Sequence, residues 1–254
     1  MAVLPGAEPF SHDGDGVGIL LCHGFTGSPQ TVQPWAQACV RANHTVRVPR
    51  LPGHGTHWAD LNTTNWRQWY DEVEAAFTEL RDATDVVFIG GISMGAALAL
   101  RLAELHGPEV AGLMLVNPAV RLQRHQMALV PWVSRVLPAT KGIASDIKKP
   151  DTKELAYGLT PLRAARSMLE FWSVLNADLD KVDQPVVVFR SPEDHVVPAS
   201  STELVLARIS STDVTETLCE DSYHVATLDN DGPMIEKQSL AFVARIVNQT
   251  GGAR

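Results

Sequence analysis

Short apolar runs alternate with longer amphipathic stretches along most of this chain. Runs rich in β-branched and aromatic residues predict buried strands, whereas apolar residues that recur every three or four positions predict helices. The predicted strands are Gly18–Cys22, Thr45–Val48, Asp85–Ile89, Gly112–Val116, Pro185–Arg190 and Val214–Leu218. The predicted helices are Thr31–Arg41, Trp66–Arg81, Met94–His106, Ser200–Ile209 and Pro233–Asn248. This alternation predicts an α/β fold, with a mostly parallel central sheet flanked by helices.

The alternation stops in the middle of the chain, where a polar segment joins two helix-like stretches, His125–Leu137 and Leu162–Leu175. We therefore expect residues 119–181 to form a small helical cap insert. The core domain is then made of residues 1–118 and 182–254. Amphipathic cap helices would supply the apolar walls that a ligand pocket needs. The alternative is a peripheral helical hairpin that only shields the sheet.

Composition and charge limit the classes of protein to which this chain can belong and the partners that it can bind. The 254 residues suffice for one α/β domain with a sizeable core. The formal net charge of −8 argues against nucleic acid or an anionic membrane surface as the main partner. The first residues lack a signal-peptide pattern, and the longest apolar stretch, Val86–Leu100, is too short to cross a bilayer. We expect a cytoplasmic protein without stable membrane insertion, and the oligomeric state stays open.

The three cysteines, Cys22, Cys39 and Cys219, have neither CxxC spacing nor an even count. They predict no disulfide framework and no zinc site. We expect each to be a small buried apolar residue. No metal or organic cofactor is implied.

The segment Gly91-Ile-Ser-Met-Gly95 lies between a predicted strand and a predicted helix. A G-x-S-x-G pattern at such a junction is typical of the nucleophile elbow, a sharp turn from which Ser93 projects in a strained conformation. Glycines flank that serine where neighbouring backbone leaves no room for a Cβ. Ser93 is therefore the candidate nucleophile. The alternative is a glycine-rich turn that merely packs the helix on the sheet.

A nucleophilic serine needs a base to take its proton and an acid to orient that base, and after an elbow the acid precedes the base along the chain. Asp194 and His224 have this order. Each follows a predicted strand, so both lie at the carboxyl ends of strands, as the nucleophile does. Glu193 is a close rival of Asp194. His54 and His57 could line the pocket, but they precede the serine, which disfavours either as the base.

Two backbone N–H groups must also face the oxyanion that develops on the substrate. The residue after the nucleophile, Met94, offers one at the positive end of its helix. The turn His23-Gly24-Phe25 after the first long core strand offers the second, and Phe25 is its expected donor. We expect His23 itself to be a structural residue that fixes this turn.

With these residues assembled, the chain resembles the α/β-hydrolases of the bacterial monoacylglycerol lipase and small carboxylesterase group, from about Val17 to Val247. Four core segments and one insert segment carry the resemblance: His23–Ser28, Leu51–Gly55, Gly90–Gly95, Ser222–Asp229 and Ser145–Tyr157. One departure is Ala96, where many relatives have a second glycine, and it fits a helix.

The resemblance implies a catalytic triad of Ser93, Asp194 and His224, with Phe25 and Met94 at the oxyanion. It further implies that two insert residues border the part of the pocket that holds glycerol: Ile143 and Glu154. By residue chemistry alone, Glu154 would be a surface helix residue.

The expected function is that of a serine hydrolase for a small-molecule lipid ester. It would cleave the ester bond of monoacylglycerols to glycerol and a free fatty acid through an acyl-enzyme. The alternative is a general carboxylesterase for short- or medium-chain acyl esters. A non-catalytic binding protein on the same scaffold would be expected to lack a triad residue, and the sequence retains all three.

Overall fold

The computed structural model describes residues 2–121, 130–142 and 144–251. Within these residues, the strands of the central sheet are β1 Phe10–His12, β2 Val17–Cys22, β3 Thr45–Val48, β4 Val86–Ile92, β5 Gly112–Val116, β8 Val186–Arg190 and β9 Val214–Leu218. These seven strands are arranged in the order β1-β3-β2-β4-β5-β8-β9. Every neighbouring pair is parallel except β1 with β3. The predicted α/β fold with a mostly parallel sheet is confirmed.

Two apolar layers cover the faces of the sheet. Successive residues of β2 show the alternation, since Leu20 packs into one layer while Ile19 and Leu21 pack into the other. Strands buried on both faces read as continuous apolar runs, which is why the sequence located them well. The stripe predicted as core lies in the first layer, where Trp69 and Phe77 are fully buried.

The described residues contain eight α-helices. They are α1 Gln33–Arg41, α2 Trp58–Leu61, α3 Trp66–Ala83, α4 Met94–His106, α5 Val130–Val133, α6 Leu162–Asp178, α7 Ala199–Arg208 and α8 Gly232–Gly251. Asn65 begins α3, since its side chain accepts from the N–H groups of Arg67 and Gln68, and Gln68 bonds back to its N–H. None of the described helices is long and apolar enough to span a membrane.

The insert differs most from its prediction. Residues 125–129 of the predicted helix His125–Leu137 lie outside the described residues, and α5 ends at Val133. Turn-type bonds follow, because the residue before Pro138 is disfavoured in the helical conformation. The unpredicted strands β6 Ala139–Lys141 and β7 Leu159–Pro161 form a short antiparallel pair. Strands of three residues, such as β6, β7 and also β1, are too short to show a periodic pattern in the sequence.

Candidate active site

Ser93 alone joins β4 to α4, and its backbone is strained. Its φ of 56° and ψ of −119° are unusual for a residue with a side chain. A Cβ on Gly91 would lie 2.4 Å from the carbonyl oxygen of Gly95, and one on Gly95 would lie 2.1 Å from that of Cys22. The N–H of Ser93 donates to the carbonyl of Val116 at 2.9 Å. Only glycine therefore fits at both flanking positions, as expected for a nucleophile elbow.

The loops after β8 and β9 bring Asp194 and His224 together. The Nδ1 of His224 lies 2.7 Å from Asp194 Oδ2, and both side chains are buried. The other carboxylate oxygen, Oδ1, accepts from the N–H groups of Val196 and Val197. Burial opposes a charged imidazole, but the charge and hydrogen bond of Asp194 outweigh it, so the pKa of His224 is raised. This imidazole is therefore oriented and made more basic.

The rival residues lie elsewhere. Glu193 is exposed, and its nearest cation is the ammonium of Lys148 at 3.8 Å. His57 is exposed and accepts from the N–H of Ala59 at the start of α2. His54 is fully buried, where desolvation holds its pKa well below the usual value. Neither His54 nor His57 is among the described residues that line the cavity beside Ser93, so the prediction that they could line it is wrong.

His23 fixes the turn beside Ser93. Its Nε2 accepts from the N–H of Leu51 at 3.2 Å, so Nδ1 carries the proton and donates to the carbonyl of Gly24 at 3.0 Å. Burial lowers the pKa of His23 to about 4, which keeps the ring neutral. A Cβ on Gly24 would lie 3.4 Å from the Cβ of Ser93, so this turn passes directly beside the serine. Phe25, the next residue, lines the cavity.

A cavity of about 470 Å³ opens beside Ser93 and His224. Helix α6 of the insert and the loop after β8 supply most of its apolar wall. The polar groups come from other residues of the insert, from the turns after β2 and from the loop after β8. The apolar lining residues include Leu162, Ala165, Met168, Leu169, Trp172, Val196 and Val197. The polar lining residues include Thr26, Thr31, Ser145, Asp146, Glu154 and His195. Such a cavity suits a ligand with one apolar and one polar part.

Glu154 lies in an irregular segment that lines this cavity, not on a surface helix as its residue chemistry suggested. Its Oε1 accepts from the hydroxyl of Thr31 and its Oε2 from the N–H of Ser145, each at 3.4 Å. Burial raises the pKa of Glu154. The prediction for Ile143 lies outside the described residues. A half-buried carboxylate with two long contacts can accept further hydrogen bonds from a ligand.

Two carboxylates that were not predicted from the sequence tie the insert to the loop of His224. Asp146 Oδ2 accepts from the N–H of His224, and its Oδ1 lies 2.8 Å from Nδ1 of His195. Asp229 is buried, and its oxygens accept from four backbone N–H groups. These belong to Lys148, Lys149, Tyr223 and Asn230. Both aspartates lie in segments that carried the family resemblance, which was the available signal.

A strained serine at an elbow, a buried carboxylate–imidazole pair and a glycine turn thus surround one cavity. This arrangement, on a mostly parallel sheet, defines the class of serine hydrolases with the α/β-hydrolase fold. A family model described as "Serine aminopeptidase, S33" (Hydrolase_4) matches residues 17–231. The chain therefore belongs to this family of α/β-hydrolases, and the resemblance seen in its motifs is confirmed.

Individual relatives agree with this family. The chain is 41% identical over 245 residues to a thermostable monoacylglycerol lipase of Bacillus sp. (strain H-257), covering 96% of both proteins. It is 19% identical to a carboxylesterase of Bacillus subtilis (strain 168), covering 94% of this chain and 97% of that one.

A solved structure described under the metagenome-derived lipolytic enzymes LipS and LipT is 40% identical. It superposes with a TM-score of 0.93 over 96% of this chain and 100% of its own. The monoacylglycerol lipase of Paleococcus ferrophilus, at 16% identity and a TM-score of 0.77, covers 95% and 98% and shows the shared fold.

Proposed function

We propose that this protein hydrolyses monoacylglycerols to glycerol and a fatty acid. The observation that carries the proposal is the cavity. Ser93 and His224 line it together with an apolar wall and the half-buried carboxylate of Glu154. A monoacylglycerol has the matching parts, which are one acyl chain, an ester and two free hydroxyls. The relative from Bacillus sp. with 41% identity, a monoacylglycerol lipase, supports this substrate class.

In the proposed mechanism Ser93 attacks the ester carbonyl while His224 takes its proton. Asp194 accepts from Nδ1 of His224, which leaves Nε2 free to act as the base and stabilises the imidazolium that forms. The N–H groups of Phe25 and Met94 stabilise the tetrahedral oxyanion. His224 then gives its proton to the leaving glycerol oxygen. Water then attacks the acyl-enzyme while His224 takes its proton. His224 passes this proton to the oxygen of Ser93 as the fatty acid is released.

The acyl chain lies along the apolar wall, and the glycerol hydroxyls donate to Glu154. The family resemblance also implies a place at the glycerol end for Ile143, which lies outside the described residues. Burying the carboxylate costs free energy that its two contacts, from Thr31 and Ser145, offset only in part. A ligand that donates hydroxyls restores the lost hydrogen bonds, so this end of the cavity favours glycerol over an apolar alcohol. A diacylglycerol would bring a second acyl chain against the carboxylate and should be a poor substrate.

The second candidate is a general carboxylesterase for short- or medium-chain esters, because the triad and the apolar wall do not depend on glycerol. To separate them, kcat/KM should be measured for monoacylglycerols of graded chain length. Diacylglycerols and p-nitrophenyl esters of the same acyl groups should be measured beside them. A preference for monoacylglycerols supports the proposal, and equal or better turnover of simple esters identifies the carboxylesterase.

Two further comparisons make the experiment decisive. An aminoacyl p-nitroanilide tests the peptidase activity that the family description names, and we expect no cleavage of it. Ser93→Ala, assayed in parallel, measures the background from contaminating esterases. Failure of the wild-type protein to hydrolyse any ester would contradict the proposal as a whole.

We further propose that the protein acts in the cytoplasm on this small-molecule lipid ester. All three cysteines, Cys22, Cys39 and Cys219, lie in the described part of the chain and are free and buried. Unpaired buried cysteines are typical of proteins that work in a reducing compartment. The mechanism uses side chains and backbone N–H groups alone and calls for no cofactor.

A further inference from the structure

Asn117 occupies a buried position where three segments of the site meet. It follows β5 directly, one residue after Val116, whose carbonyl accepts from the N–H of Ser93. Its own N–H donates to the carbonyl of Phe189 at 2.9 Å and so extends the ladder between β5 and β8. Its φ of 42° lies in the left-handed region, which asparagine tolerates better than most residues. Its backbone therefore connects the nucleophile strand with the strand that leads to Asp194.

The side-chain amide of Asn117 reaches the loops of both the acid and the base. Its Oδ1 accepts from the N–H of Ser191 at 2.8 Å. Its Nδ2 donates to the carbonyl of His224 at 2.8 Å and to the hydroxyl of Ser191 at 3.0 Å. That hydroxyl in turn donates to the carbonyl of Tyr223 at 2.8 Å. Because an N–H can only donate and a carbonyl can only accept, these partners fix the orientation of the amide.

We propose that Asn117 is a positioning residue for ester hydrolysis, because its amide holds the main chain of His224 against the loop that carries Asp194. The inference rests on the proposed roles of Ser93, Asp194 and His224. The main-chain N–H of His224 is held separately, by Asp146 of the insert. Asn117, a residue of the core, thus fixes the main-chain carbonyl of His224.

The hydrogen-bond network around Asn117 cannot readily compensate for a substitution of this residue. Asn117 and Ser191 are both 2% exposed, so water does not readily replace the amide. Reactions in an enzyme site depend steeply on geometry, and a displacement of about 1 Å can cost about 100-fold in rate. Loss of the amide donor releases the carbonyl of His224 and allows its imidazole to drift from Ser93. The loss therefore acts on proton transfer and not on substrate binding.

The test is Asn117→Asp, which keeps the shape, tolerates the left-handed backbone and keeps an acceptor for the N–H of Ser191. It replaces the donor to His224 by an oxygen that repels the carbonyl. Rates should be compared on the plateau of each pH profile, because the added charge also affects the pKa of His224. We expect kcat on a p-nitrophenyl ester to fall by about 10- to 100-fold with KM within about twofold. The rate of phosphonate labelling of Ser93 should fall in parallel.

The matched control is Asn62→Asp. Asn62 makes the same kind of contacts away from the triad, since its amide donates to the carbonyl of Pro138 and accepts from the N–H of Arg163. Its kcat should stay within about twofold of wild type. If both variants lose kcat equally, the effect is general and the proposal is wrong.

Two further measurements keep the inference testable. Asn117→Gly suits the positive φ and removes the amide without adding charge, so it replaces Asn117→Asp if that protein does not fold. Proton NMR of the folded variant should show a shifted or broadened far-downfield resonance for the Nδ1–H of His224. An unchanged resonance together with unchanged kcat overturns the proposal. If wild-type protein neither hydrolyses the ester nor reacts with phosphonate at Ser93, the proposed function itself has failed.

Discussion

Removal of the carboxylate of Glu154 should impair hydrolysis of glycerol esters selectively. Glu154→Leu keeps an extended side chain but removes both acceptor oxygens from the cavity. In the wild-type structure those oxygens accept from Thr31 and Ser145 at 3.4 Å, near the upper limit for a hydrogen bond. Acceptor positions on the carboxylate therefore remain for the two hydroxyls of a monoacylglycerol. Glu154→Gln, which keeps one acceptor without the charge, should lie between wild type and Glu154→Leu.

The size of the effect follows from the number of hydrogen bonds lost. A hydrogen bond to a charged group contributes about 1.5–3 kcal/mol. Each 1.4 kcal/mol corresponds to about tenfold. Loss of one such bond should lower kcat/KM for a monoacylglycerol by about 10- to 100-fold. A p-nitrophenyl ester of the same acyl chain has no glycerol hydroxyls, so its kcat/KM should change by about threefold or less.

The assay is release of the same fatty acid from both esters, measured on the alkaline side. There the carboxylate is ionised despite the raised pKa that burial gives Glu154. Glu170→Leu is the matched control, because Glu170 is an exposed carboxylate of helix α6 that pairs with Arg166. Its two activities should equal those of wild type. Equal losses on both esters in Glu154→Leu would refute the glycerol site and favour the general carboxylesterase.

Three further predictions concern the triad. Ser93→Ala should lower kcat by about 10⁴- to 10⁶-fold in a folded protein and abolish phosphonate labelling, and residual activity above a few per cent would exclude this nucleophile. Asp194→Asn should cost about 10⁴-fold in kcat, whereas Glu193→Gln, at an exposed position, should stay within about twofold; the reverse order would assign the acid to Glu193. His224 must be neutral to act, and its pKa is raised. The value of kcat/KM should therefore fall as pH drops through a pKa above the ordinary value of about 6.5, and an acid limb well below that value would contradict the Asp194 contact.

The parts of this protein that the sequence predicts are those set by local pattern. Strands such as Gly112–Val116 are buried on both faces, so their apolar runs mark their ends directly. The elbow at Ser93 has its pattern within five residues. The positions of Asp194 and His224 follow from a single rule, because parallel strands present their carboxyl ends on one edge of the sheet.

The parts that escaped prediction depend on contacts between distant segments. The amide of Asn117 meets the carbonyl of His224 across 107 positions, and the hydroxyl of Thr31 meets Glu154 across 123. The periodicity of the sequence does not indicate contacts between residues so far apart in the chain. An asparagine after a strand is typical of an ordinary turn. Glu154 shows the limit most clearly, since its residue type indicated solvent, whereas the structure places it half-buried in the wall of the cavity.

Asp229 accepts hydrogen bonds from four backbone N–H groups. These bonds affect how the substrate range of this enzyme can change. Lys148 and Lys149 of the insert share that carboxylate with Tyr223, so this part of the insert is bonded to the loop that carries His224, the proposed base. Helix α6, which carries a large part of the apolar wall, makes none of these bonds among the described residues. We expect that substitutions in helix α6 can lengthen, shorten or widen the proposed acyl site while the position of His224 stays unchanged. We therefore expect that substitutions in α6 can change the acyl-chain preference without any change at Ser93, Asp194 or His224.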